Sequence, residues 1–218
     1  MVKQQRAVRT RRALIRAAAE AFTQDGFASA SLAAISRRAG VSSGALHFHF
    51  ESKSALAQAV EDEATDTFAR ITREVAPDGK NPLQGLVDAT HVLMHHIAED
   101  AVVRAGFALC RDATRENDAA LRRAWERWVE DALGRAERAG QLAEGAAVTE
   151  AVTAIVAATV GFEVLGSAQE RWLSREAVTR LWVLLVPRIA RQHALDTISC
   201  GPSEPGSAPR LPAAPHQK

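Results

Sequence analysis

The chain has 218 residues, 47% of them hydrophobic and 24% charged, enough apolar mass for one large domain or two small ones. No run approaches the roughly 18 uninterrupted apolar residues of a membrane span, and the basic start MVKQQRAVRTRR leads into an amphipathic pattern without the apolar stretch of a secretory signal. The formal net charge of +1 conceals a head of +6 over residues 1–53 and a remainder of −5, a distribution suited to holding a polyanion at one end only. Cys110 and Cys200 stand far apart, so a disulfide framework is not implied and a reducing cytoplasm is the expected location.

The pattern predicts an all-α chain. In the first helix Leu14, Ala17, Ala18, Ala21 and Phe22 form one stripe while Arg9, Arg12 and Arg16 share another face. Asp25-Gly26 ends it. Ser31 is a good N-cap for a short second helix with Leu32, Ile35 and Ala39 facing inward. Gly40 supplies a tight turn, Ser42 or Ser43 caps a third very short helix, and Ser52 caps a fourth running from about Lys53 into the 70s. Neither Ser31 nor Ser52 has the acid three residues on that completes a capping box. APDGKNP, residues 76–82, reads as a loop. Further helical stretches follow at about 83–98, 101–112, 117–139, 148–167 and 174–193, with Pro187 expected to kink or break the last. From Asp196 onward, five prolines and no apolar period predict disorder.

The stretch GALHFHFESKSAL, residues 44–56, alternates His and Phe as a strand would. A single strand with no partner in the sequence leaves its backbone groups unpaired, so the strand reading fails. As a helix over Ser43–His49, Leu46 and Phe50 stack at i, i+4 and His47 points away. Two histidines two apart diverge on a helix, and no ligand cluster lies near them to complete a metal site. His91 and His95 share a helix face at i, i+4, but no carboxylate or further His completes that set either. Two short helices joined by Ala39-Gly40-Val41 and preceded by a longer one have the proportions of a helix-turn-helix.

The run SLAAISRRAGVSSGALHFHFESKSALAQAV resembles the DNA-binding segment of the TetR family of bacterial transcriptional repressors. RAVRTRRALIRAAAEAF and GALHFHFESKSALAQAV are similar to its γ-butyrolactone receptor branch, as are VVRAGFALCRD, the Trp pair in AWERW, ERAGQL and IVAATVGFEVL, so the likeness spans most of residues 4–193. The resemblance implies a helix-turn-helix domain over 1–52, a helical-bundle ligand-binding and dimerisation domain over 53–195, and a tail over 196–218. It places Ser42–His47 in the major groove and Lys53 on a phosphate. Ser42, Ser43, Gly44 and Ala45 are small, so base readout is thin. Arg9, Arg11, Arg12 and Arg16, with an arm around Lys3 and Arg6, suit phosphate or minor-groove contacts, and Ser31 and Phe48 complete the expected DNA-facing set. The family usually has Tyr where this chain has His47. A histidine adds a full charge only when protonated, so operator affinity is expected to rise on acidification more than in His47→Tyr.

In the body, Leu93, Met94, Phe107, Cys110, Trp125, Trp128 and Phe162 are the expected lining of an apolar ligand cavity. By resemblance one tryptophan packs against a lactone; spacing leaves Trp125 and Trp128 open, with a slight preference for Trp128. Ala154, Ala157, Ala158 and Gly161, with the bulky Leu181, Val183, Leu184, Leu185 and Ile189, suit a homodimer through the last two helices. Catalytic chemistry has no candidates, since no Ser-His-Asp spacing, carboxylate pair in context or phosphate-cradling Gly loop occurs, and no cofactor or membrane association is expected. The expected function is a repressor that binds a palindromic double-stranded operator and is released by a small apolar γ-butyrolactone-type signal. The alternatives are a regulator of efflux or antibiotic biosynthesis answering an antibiotic or furan, and a ligand-free architectural DNA binder.

Overall fold

The computed structural model describes residues 2–75, 81–112 and 119–202, without the side chains of Val2 and Lys3. The described residues form ten α-helices and one 3-10 turn. α1 (Val2–Ser29) is interrupted at Gly26, whose φ of 77° and ψ of 158° lie outside helical space and are open to glycine alone. α2 (Leu32–Arg38) and α3 (Ser43–His49) are single-bond capped helices. Ser31 Oγ accepts from Ala34 N at 3.2 Å and Ser42 Oγ from Ala45 N at 3.1 Å. Gly40, at φ 68°, turns the chain between them. α4 (Lys53–Val75) starts at Ser52, which accepts from Ala55 N at 3.1 Å. Leu14, Phe22, Ile35, Leu46 and Phe50 bury together and fix how these helices cross.

The body holds α5 (Pro82–Glu99), α6 (Ala101–Leu109), α7 (Ala120–Arg138), α8 (Val148–Gly166), the 3-10 turn Glu170–Leu173 and α9 (Arg175–Ile189). Asn81 and Asp100 cap α5 and α6 through their side-chain oxygens. Most of the expected loop 76–82, and the start of the helix expected from 117, fall on residues outside the described set. α6 packs against both α1 and α4, and a continuous core runs from head to body. At Gly106 the helices are so close that a Cβ would lie 2.5 Å from Ala64 Cβ. Ser52, where the two expected domains meet, caps the start of α4.

Two expectations are corrected at the C-terminal end. Pro187 lies inside α9, which continues to Ile189; lacking an N–H it cannot bond the carbonyl of Val183 one turn back, a residue on the exposed side of the helix where water can take its place. The chain beyond Asp196 is docked as far as Pro202. Gln84 Oε1 accepts from Ser199 N at 2.7 Å while its Nε2 donates to Ser199 O at 3.2 Å, and Ile198 and Cys200 pack on the core. Proline content obscured two apolar anchors and an amide side chain that satisfies the backbone. Residues 203–218 lie outside the described set.

Candidate functional site

At the head, burial of Leu46 and Phe50 turns the opposite side of α3 outward. Ser42, Ser43, Gly44 and His47 are exposed, Ala45 is half-buried, and Phe48 is 81% exposed with its ring edge-on to His49 at 5.2 Å. An apolar ring held in water on a helix lined with small residues suits contact with thymine methyls. Arg6, Arg9, Arg11, Arg12 and Arg16 are exposed along α1, and Arg11 lies over the Phe50 ring, 5.3 Å from its centroid. That contact joins the basic face of α1 to the root of α3. Ser31 is exposed and already caps α2. The Lys3 side chain lies outside the described residues.

Lys53, expected on a phosphate, is bonded within the head. Its Nζ donates to the carbonyls of Phe27 at 2.7 Å, Ala28 at 2.9 Å and Ala30 at 3.0 Å, and stands 4.7 Å from the Phe27 ring centroid. Three bonds use all three ammonium protons. Lys53 satisfies carbonyls left free where α1 ends and the chain turns toward α2, so its ammonium ties the head together.

In the body, Leu93, Met94, Phe107 and Trp125 converge, joined by Ile97, Thr159, Val160 and Glu163, around a small void of ≈ 10 Å³. Trp125 is 1% exposed and donates from Nε1 to Thr159 Oγ1 at 2.8 Å. Trp128, the slightly preferred of the two, is half-buried and stacks on Trp125, centroids 5.7 Å apart and planes 13° off parallel, and of the pair only Trp125 lines this void. Cys110 caps the end of α6 outside the void, where burial pushes its thiol pKa up. Phe162 is turned toward Trp172, at 6.3 Å. The indole position depends on where α5 and α8 cross α7, which spacing within α7 does not encode.

Thr159 and Glu163 were missed by sequence reasoning. The available signal was a lone carboxylate near the end of the apolar run TEAVTAIVAATVGFEVL. Glu163 is 5% exposed, with Oε2 2.6 Å from Arg122 Nη2 and Oε1 3.5 Å from Arg111 Nη2. Burial pushes its pKa up, against the downward pull of Arg111 and Arg122. Behind it lies a crevice of ≈ 450 Å³ that reaches Thr23 on α1, Arg104 and Arg111 at α6, and the 3-10 turn. A larger opening, ≈ 730 Å³, is elsewhere, between α5, the 3-10 turn and α9, with His91, His95, Glu99, Arg171 and Arg175 in its walls. His91 Nε2–H donates to Cys200 O at 3.0 Å. No three His, Cys, Asp or Glu residues gather as a metal site among the described residues.

A basic helix-turn-helix head sharing one core with a helical body defines a DNA-binding transcription regulator. Residues 14–60 match the bacterial regulatory proteins of the tetR family. The chain is 34% identical over 197 residues to the A-factor receptor protein of Streptomyces griseus, covering 87% of this chain and 67% of that protein. A solved γ-butyrolactone receptor, an ArpA-like protein, superposes with a TM-score of 0.72 at 26% identity, over 86% of this chain and 92% of that one. The TetR-family protein CprB of Streptomyces coelicolor, solved with its operator, gives 0.74 at 26%, over 88% and 94%. The chain belongs to the TetR family, and its relatives include γ-butyrolactone receptors.

Proposed function

We propose that this protein is a cytoplasmic repressor, not an enzyme, which binds a palindromic operator as a dimer and releases it when a γ-butyrolactone-type molecule enters the body beside Trp125. The observation that carries the reading is the placement of α6. It supplies Phe107 to the void wall and packs at the same time on α1 and α4. A small organic ligand needs several hundred Å³, so it has to part the helices around a void of ≈ 10 Å³. Because interiors are close-packed, that displacement is passed to neighbours rather than absorbed. Movement of α6 then tilts α4 and the attached head, and linkage requires the operator to weaken ligand binding by the same factor.

The test is an operator-release assay on the protein's own upstream DNA with synthetic butyrolactones and furans. Release by a lactone in the wild type, lost in Trp125→Ala and kept in Trp128→Ala, supports the reading. Tight operator binding that no lactone disturbs sinks it. A signal of another class is favoured by one feature, the larger charged opening at His91, His95, Arg171 and Arg175, which suits a more polar molecule.

A further inference from the structure

A single side chain, Glu163, forms part of both the wall of the Trp125 void and the wall of the crevice behind it. A carboxylate so deeply buried costs free energy unless both of its oxygens are satisfied. Oε2 has a short bond from Arg122 Nη2 at 2.6 Å. Oε1 has only the Arg111 guanidinium at 3.5 Å, well beyond a strong charge-assisted hydrogen bond. An acceptor with spare capacity therefore stands in the wall of a void whose other polar groups, Trp125 Nε1 and Thr159 Oγ1, are already bonded to each other.

We infer that Glu163 selects the ligand, by accepting a hydrogen bond from a hydroxyl on an otherwise apolar molecule lying against Trp125. An ionised carboxylate only accepts. It repels an anionic head and offers nothing to an ester or ether oxygen, so between lactones of one size it favours the one with a free hydroxyl. The hydroxyl competes for Oε1 with Arg111, two residues beyond the end of α6. The group that reads the ligand thus also tethers the helix that packs on α1 and α4. This inference rests on the lactone-responsive reading above.

The experiment titrates tryptophan fluorescence and operator release of the full chain with two long-chain γ-butyrolactones, one bearing a free hydroxyl and its deoxy counterpart. Wild type, Glu163→Gln and Glu163→Leu are compared. The wild type is expected to prefer the hydroxyl form by about tenfold or more in Kd, as sites built to pair a hydroxyl do. Glu163→Leu brings the ratio close to one. If that variant does not fold, Glu163→Gln decides: a neutral acceptor is roughly half as strong, so the ratio shrinks severalfold. Equal binding of both lactones by the wild type, or an unchanged ratio in Glu163→Gln, overturns the inference while leaving lactone response intact. If neither lactone changes fluorescence or releases DNA, the lactone reading fails and this inference fails with it.

Discussion

The Lys53 ammonium illustrates how one residue's bonds constrain its role. Its three protons hold the carbonyls of Phe27, Ala28 and Ala30 where the chain leaves α1 for α2. Hydrogen bonds to a charged group contribute about 1.5–3 kcal/mol, so Lys53→Met is expected to lower unfolding stability by about that amount in urea melts. A lysine that neutralises a phosphate would also contribute about 0.9 to the slope of log affinity against log salt. For Lys53→Met that slope should stay unchanged, and a drop would support the phosphate role. His91 argues a pH effect of definite sign. Burial lowers its pKa from the ordinary 6.5, with Arg175 acting the same way and the Cys200 carbonyl and Asp88 opposing. The unfolded chain therefore takes up the proton first, and stability falls as pH drops below 6.5 toward the depressed folded value. His96 is lowered as well, chiefly by burial, and adds a slope of the same sign. Thermal melts at pH 7.5 and 5.5 should show a smaller acid loss in His91→Leu than in the wild type, with part of the slope remaining.

At the scale of elements, the approach of α6 to α4 is set by the missing side chain of Gly106. A methyl there would meet Ala64 Cβ at 2.5 Å and Leu121 Cδ2 at 3.2 Å. Gly106→Ala should cost about 1–3 kcal/mol through overpacking, despite alanine's better helix propensity, and should shift operator affinity because α4 carries the head. Gly134→Ala on α7 meets only the flexible end of Arg138 at 3.5 Å, so it should be neutral or stabilising in the same melts. This contact also shows where sequence reading stops. The caps at Ser31, Ser42 and Ser52 and the break at Gly26 were legible, because a cap or a positive φ is settled within four residues. So were the apolar helix faces that carry Leu93, Met94, Phe107 and Trp125. The crossing that seats Trp125 inward with Trp128 stacked on it, and the reach of Lys53 back to Phe27, depend on tertiary geometry. Docking of 199–202 was hidden because Gln84, more than a hundred residues away, supplies the bonds.

For the whole molecule, the question is what covers α8 and α9. By length and composition α8 is the one described helix apolar enough to cross a membrane, with only 33% of its most apolar stretch buried. Its outward side presents Ala154, Ala157, Val164 and Leu165, and α9 presents Val183 and Leu184, at 57% and 58% exposure. Arg180 and Arg188 are exposed on the same helix, the kind of polar rim that surrounds an apolar interface core. Small residues on one helix and bulky ones on the next suit a self-complementary two-fold contact. Two heads joined this way would engage both halves of a palindrome, and linking two binding events multiplies affinity by about 10² to 10⁴. Val183→Asp combined with Leu184→Asp should therefore produce a monomer by light scattering, with circular dichroism unchanged because both side chains are exposed. Operator affinity should fall by about 10² or more, while a single half-site is bound as weakly as by the wild type. A double variant that stays dimeric and keeps full operator affinity would move the interface away from α8 and α9 and leave their apolar faces to another partner.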